Sequence, residues 1–239
     1  YFFFILKSKS FQFFCKATTF IEIFQKYSFP TYFFNSLLAA GVSTLVSLLF
    51  YAMGAYVIAK FEFPGRKLLF ALFTITLLVP SHSKTQPIFS LIMKLNLYDS
   101  IWGVTLVYLS AGMAMSIFVL KAGFMAIPKS LDEAATLDGA SFFRTFWTIN
   151  LPLAKSALAT AGILMFLGNW NEYYFASLLT VSDSQRTLPI ALAFFTSEFS
   201  YNYTQLFAAL TIVILPGIIL YALAQDQVQA SVAASGVKG

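Results

Sequence analysis

Five apolar runs set the terms on which this chain can fold: residues 33–59, 68 to about 93, 101–120, 157–179 and 207–224. A helix that crosses a bilayer needs about 20 mostly apolar residues, because the hydrocarbon core offers backbone N–H and C=O groups no water and a helix pairs them within its own segment. Of the 239 residues 59% are hydrophobic and only 10% charged, against about 25% charged in an ordinary soluble domain. No soluble core hides that much apolar surface, so the sequence predicts an all-α, polytopic transmembrane helix bundle. Ahead of the first run, Tyr1 to Leu6 is apolar but too short to span. It has neither the basic start nor the small-residue cleavage site of a signal peptide, and reads as the stump of a sixth span. The expected organisation is a remnant of the first span and an external segment at 1–32, a transmembrane domain at 33–226 with a cytosolic loop at 125–153, and a cytosolic tail at 227–239.

Basic residues are retained on the cytosolic side during insertion, so the loops can be assigned to sides. Lys60, Arg66 and Lys67 follow the first full run, and Lys121, Lys129, Arg144 and Lys155 surround the segment between the third and fourth. Both are placed inside. The turn from Leu95 to Ser100 carries only Asp99, and the stretch from Val181 to Tyr203 carries Arg186 against Asp183 and Glu198. Both are placed outside. Parity then puts 7–32 outside despite Lys7, Lys9, Lys16 and Lys26, the one loop against the rule, and the C-terminus in the cytosol.

Several functions are excluded by what the residues lack. Cys15 is the single cysteine and His82 the single histidine, so neither a disulfide framework nor a metal-ligand set is encoded. The basic residues are scattered singly rather than clustered with stacking aromatics, which argues against nucleic acid. No Gly-x-x-x-x-Gly-Lys-Ser/Thr loop cradles a nucleotide and no catalytic set is visible, so any ATP is handled by another chain.

The cytosolic loop is a polar island with its own structure. Pro128 stops the preceding helix, and Ser130 with Glu133 three residues on has the spacing of a capping box. On the helix so started, Leu131, Ala134 and Ala135 share a face at i, i+3 and i+4, and adjacent alanines make a low surface that a partner's groove can approach. Gly139 suits a left-handed helix stop. A second helix from about Ser141 to Asn150 carries Phe142, Phe143, Phe146 and Trp147, until Leu151-Pro152 turns the chain toward the next span. Read plainly, this is a long capped loop, with Glu133 a cap whose loss costs about 1 kcal/mol.

The spacing says more than its parts. Glu133-Ala134-Ala135, three residues, Gly139, nine residues, Ile149, one residue and Leu151-Pro152 resembles the signature loop of the membrane subunits of bacterial ATP-binding-cassette importers, at every signature position. Phe34-Asn35-Ser36-Leu37, Phe63-Pro64-Gly65-Arg66, Asp138-Gly139-Ala140-Ser141 and Gly236-Val237-Lys238-Gly239 extend the likeness to carbohydrate-uptake permeases of the maltose and multiple-sugar type, on the branch of their second membrane subunit. The resemblance runs from residue 30 onward and implies a type I importer fold. It implies a second homologous permease subunit, two ATP-binding subunits that hold ATP and Mg, and an extracellular sugar-binding protein, with no cofactor on this chain. Glu133, Ala134, Ala135, Asp138, Gly139, Ile149, Leu151 and Pro152 would couple to the ATPase, Glu133 as anchor and Gly139 as pivot. Gly236 and Lys238 would lie in a tail that reaches between the ATPase subunits.

Polar residues within spans mark cavities or protein interfaces. Pro80, His82, Lys84, Gln86 and Pro87 interrupt the second run, and Gly168 with Asn169, Trp170, Asn171, Glu172 and Tyr173 interrupts the fourth. Amides, carboxylates and rings are the groups that recognise sugars, so His82, Lys84, Gln86, Asn169, Trp170, Asn171 and Glu172 are candidates to line a pathway. The same residues would serve equally to bind a partner subunit or to sit in the aromatic belt. The substrate expected is an oligosaccharide of raffinose or multiple-sugar type. Alternatives are an importer for glycerol phosphate, a secondary transporter, which would show related halves that are not seen here, and a membrane scaffold.

Overall fold

A computed structural model describes Phe20 and residues 22–24, 28–194 and 203–236. The stump at Tyr1 to Leu6, Cys15 and the basic residues of the first loop lie outside them, as does Lys238. The described residues form helices and no strands. The longest at the centre is α1 (Phe29–Lys60). It is followed by α2 (Arg66–Ile75), α3 (Thr85–Lys94), α4 (Ile101–Leu109), α5 (Met113–Ala126) and α6 (Lys129–Leu137). Then come α7 (Phe142–Thr145), α8 (Leu151–Leu153), α9 (Lys155–Trp170), α10 (Tyr174–Leu179), α11 (Leu188–Phe194) and α12 (Tyr203–Gly236).

Among the described residues two helices are long and apolar enough to cross a membrane alone, Phe29–Lys60 and Leu206–Leu223 within α12, and up to five spans result if each of three bent pairs is one. The second run, interrupted in the sequence by Pro80 and the polar residues after it, is bent as expected, and the third, expected as one helix, is bent too. Arg66–Leu78 and Ser81–Lys94 meet at 101°, Ile101–Leu109 and Met113–Ala126 at 47°, and Phe142–Leu153 and Lys155–Trp170 at 79°. The run expected over 157–179 ends as a long helix at Trp170 and resumes as the short α10.

α1 is the post of the bundle, with α4, α5, α9 and α11 packed on it. Its buried side is a stripe of small residues, Ser36, Ala39, Ala40, Ser43, Thr44, Ser47, Ala52, Ala55 and Ala59, which lets neighbouring backbones come close where no hydrophobic effect drives helix association in lipid. Where a helix breaks, its freed carbonyls find donors on this post. Gly112 takes φ 68° between α4 and α5, and the freed Leu109 carbonyl accepts from Ser47 Oγ and Tyr51 OH, both at 2.6 Å. The break before α10 is closed by Glu172, whose carboxylate accepts from the N–H groups of Phe175 (2.8 Å) and Ala176 (3.1 Å) and from Tyr108 OH (3.0 Å).

The loops sort to two ends. At one, Lys60 Nζ donates to the Ile127 carbonyl at 2.8 Å, joining the end of α1 to the start of the polar island. At the other, Asp99 accepts from the N–H groups of Val181 (2.7 Å) and Ser182 (2.8 Å), and Asn35 Nδ2 donates to the Ser184 and Arg186 carbonyls, both at 2.9 Å. The loops that charge assigns to one side thus share one end of the molecule.

Candidate functional site: an exposed helix on a buried polar joint

The polar island is an elbow of helices standing off the bundle. α6 starts directly after Pro128, whose φ of −57° and ψ of 136° occupy the N-cap position. This corrects the expected capping box: Ser130 lies inside the first turn, no side chain caps the helix, and Glu133 is exposed without a hydrogen-bond or ion-pair partner among the described residues. The stop falls where expected. Gly139 takes φ 75°, with Ala140 N–H donating to the Ala135 carbonyl at 2.9 Å and Gly139 N–H to the Thr136 carbonyl at 3.0 Å, the paired bonds of a Schellman ending.

The faces of α6 are not those the alanines suggested. Ala135 is buried at 6% exposure while Ala134 is exposed. The outward surface consists of Leu131, Glu133, Ala134, Leu137 and Asp138, and Leu137, which the sequence did not single out, is 89% exposed.

Beyond Gly139, Ser141 caps α7 by accepting from the Arg144 N–H at 3.4 Å. The second helix of the elbow, expected to end at Asn150, runs on. It passes through a π-helical segment, Phe146–Asn150, into α8, and the chain turns at Ala154 rather than at Leu151-Pro152. Pro152 has no N–H to give to the preceding turn, and a wide π turn ahead of it accommodates that loss. Ile149 is half-buried, Leu151 packs on the core formed by α1, α5 and α9, and Pro152 faces out.

Beneath α6 lies a joint that sequence reading missed. Asp132 Oδ2 sits 2.8 Å from Lys60 Nζ, and Asp132 Oδ1 accepts from Asn150 Nδ2 at 2.6 Å. The side chains of Lys60 and Asp132 are 4% and 21% exposed, and Asn150 is fully buried. Tyr56, with its hydroxyl 3.5 Å from Asn150 Nδ2, is ringed by Phe61, Phe124, Phe142 and Phe146 at centroid distances of 5.6, 5.5, 5.4 and 5.2 Å. The available signal was Asp132 at i−3 from Ala135, on the one inward face of α6.

The polar span residues fall into two groups. His82, Lys84, Gln86 and Asn171 are exposed, with the His82 ring edge-on to Tyr174 at 4.4 Å and Thr85 Oγ1 2.9 Å from the Tyr174 hydroxyl. Asn169 and Trp170 turn into the chain's own interior, Asn169 donating to Ser43 Oγ and Trp170 Nε1 to the Val213 carbonyl, each at 3.0 Å. Glu172 is half-buried and committed to the cap of α10. Gly236 ends α12, so the segment expected as a separate tail continues the last helix. No cluster of three or more His, Cys, Asp or Glu that could hold a metal occurs among the described residues.

Comparison with known proteins agrees with this architecture. The family described as binding-protein-dependent transport system inner membrane component matches residues 51–234. A putative ABC transporter permease protein of Caldicellulosiruptor sp. is 36% identical over 212 residues, 89% of this chain and 77% of that one. The trehalose transport system permease protein SugB of Mycobacterium tuberculosis is 32% identical over 219 residues, 91% of this chain and 80% of that one. A crystal structure of a bacterial ABC transporter involved in the import of the acidic polysaccharide alginate contains a chain that superposes with a TM-score of 0.75 at 26% identity, covering 87% of this chain and 78% of that one.

Proposed function

This chain belongs to the family of binding-protein-dependent transport system inner membrane components, and from that membership we propose that it is one of two permease subunits of an ATP-binding-cassette importer for a sugar. The second, homologous permease completes the pathway, an extracellular binding protein delivers the sugar, and two cytosolic subunits bind ATP and Mg and hydrolyse the nucleotide. This chain carries no catalytic step and no cofactor. Its polar island and its C-terminus face the cytosol, and the Gly236 to Lys238 end reaches the ATPase subunits.

The reading is carried by one observation: α6 presents Leu131, Glu133, Ala134, Leu137 and Asp138 outward, with Glu133 unpartnered among the described residues. An apolar ridge beside two carboxylates, on a helix fixed at both ends, is suited to seat in a groove of another protein. The sugar is an oligosaccharide of the raffinose or multiple-sugar kind, in line with the trehalose and alginate systems among the relatives. His82, Lys84 and Gln86 are exposed and placed to line its path, as is Asn171, whose amide also donates to the Leu167 carbonyl at 2.8 Å, whereas Asn169, Trp170 and Glu172 already serve this chain's own helices.

Two measurements test the reading. Glu133→Lys is expected to abolish uptake while the membrane level of the protein stays unchanged; if Glu133 and Gly139 can both be replaced freely without loss of uptake or of association with an ATPase, the proposal fails. Labelled sugars accumulated by cells with and without the gene, its partner subunits present, then name the substrate, and accumulation of glycerol phosphate alone would favour that alternative.

A further inference from the structure

We infer that Asp132 is the joint through which movement of α6 reaches the membrane helices, with Lys60 and Asn150 as its two sockets; this rests on the reading of α6 as the contact to an ATPase. Of the side chains on α6, Ala135 alone is buried, and Asp132 alone has polar partners on other elements, among the described residues. Its carboxylate is a fork. One oxygen holds Lys60 at the end of α1, the central post, and the other holds Asn150 in the π segment that leads into α9. Lys60 also donates to the Ile127 carbonyl at 2.8 Å, just ahead of α6. A push on the outward face of α6 therefore arrives at two spans through one side chain.

The surroundings keep this fork from slipping. Tyr56, beside Asn150, packs against Phe61, Phe124, Phe142 and Phe146, and with the Lys60 side chain 4% exposed and Asp132 Oδ2 itself buried, water screens the pair less than at a surface and the attraction between the charges is stronger. Removing one partner would strand a buried charge, whereas removing both leaves neutral groups of similar shape. Among the described residues Asn150 Oδ1 is buried without a hydrogen-bond partner, which leaves an acceptor that a rotated amide could offer to a cation at position 132. Asp132, Lys60 and Asn150 are positioning residues, acting through α6 on the spans.

The test uses the assembled transporter in lipid vesicles, with both permeases, the ATP-binding subunits and the binding protein loaded with the sugar identified by uptake. In Asp132→Asn and in Lys60→Gln the ATPase subunits still co-purify and basal ATP hydrolysis persists, but stimulation by the loaded binding protein falls by about fivefold or more, the size of an ordinary coupling energy. The exchanged pair, Lys60→Asp with Asp132→Lys, regains part of the stimulation. Stimulation that stays within about twofold of the unaltered transporter overturns the inference, as does loss of the ATPase subunits on purification, which makes the pair an assembly contact. Should a single variant fail to accumulate, the neutral double Lys60→Gln, Asp132→Asn decides: reduced stimulation supports the joint, and full stimulation or failure to accumulate overturns it. Glu133→Lys is the control. If it too leaves stimulation intact, the reading of α6 as the ATPase contact falls; if it alone abolishes stimulation, only the joint falls.

Discussion

At Gly139 the backbone is left-handed, φ 75°, and nothing lies within 4 Å of where a Cβ would stand. Sterics with neighbours are therefore no obstacle to substitution; the strain is within the residue itself, about 1–2 kcal/mol for an L side chain in this region. Asn tolerates left-handed backbone and a β-branched residue does not. Gly139→Asn is accordingly expected to keep most uptake and thermal stability, and Gly139→Val to lose both, measured side by side in membranes. Equal behaviour of the two would mean the Schellman ending does not govern the angle at which α6 meets α7. Asp99 offers a second residue-scale outcome. Hydrogen bonds from the Ser182 hydroxyl, the Ser182 N–H and the Val181 N–H hold its carboxyl below the ordinary 3.8. Because the folded value is the lower one, the stabilisation is complete above pH 3.8 and fades as pH falls through the depressed value, where the native state must take up the proton it had refused. Asp99→Asn should lower the melting temperature at neutral pH, and this difference from the unaltered chain should shrink in strong acid.

At the scale of helices, what holds the bundle is closeness rather than bulk. A Cβ on Gly123 of α5 would stand 2.4 Å from Ala157 Cβ of α9, a distance real atoms do not adopt, and Ala157 cannot swing away as a long side chain would. Gly123→Leu should push α5 off α9, and since α9 follows the elbow, uptake should fall with membrane insertion retained. A disulfide trapped between cysteines placed across this contact would report the separation directly: its yield should drop in the Gly123→Leu background. The bends of the same helices divide what could be read in the sequence from what could not. Pro80 and the run after it announced a break, and the structure bends there by 101°. Polar Asn171 and Glu172 likewise marked the end of α9. These signals are local, a missing N–H or a polar group that lipid will not accept. The capping box misled because Pro128 already holds the N-cap position, which leaves Ser130 inside the turn. The Asp132 fork stayed invisible because Lys60 and Asp132 belong to different helices, and periodicity carries no information about which distant charges will meet.

Among the described residues, a large share of the exposed apolar surface lies along α12. Only 17% of the stretch Leu206–Leu223 is buried, against 44% of the most apolar stretch of α1, so α12 shows Ile214, Leu215, Ile218, Ile219 and Leu223 to whatever surrounds the bundle. The charged loops gather at the two ends, with Lys60, Arg66 and the elbow at one, and Asp99, Asp183 and Arg186 at the other. Retention of basic residues in the cytosol assigns the first end inside, and an ATPase-driven reading demands the same. Single cysteines test it in a Cys15→Ser background, placed at Leu137 on the elbow and at Val181 on the opposite end, both exposed, at 89% and 55%. A membrane-impermeant maleimide added to spheroplasts should label Val181→Cys and spare Leu137→Cys, and inside-out vesicles should give the reverse. Labelling of both from one side would break the two-ended arrangement. The exchanged pattern would put α6 outside the cell, out of reach of any ATP-hydrolysing subunit, and the Asp132 joint would then have no motor to answer to.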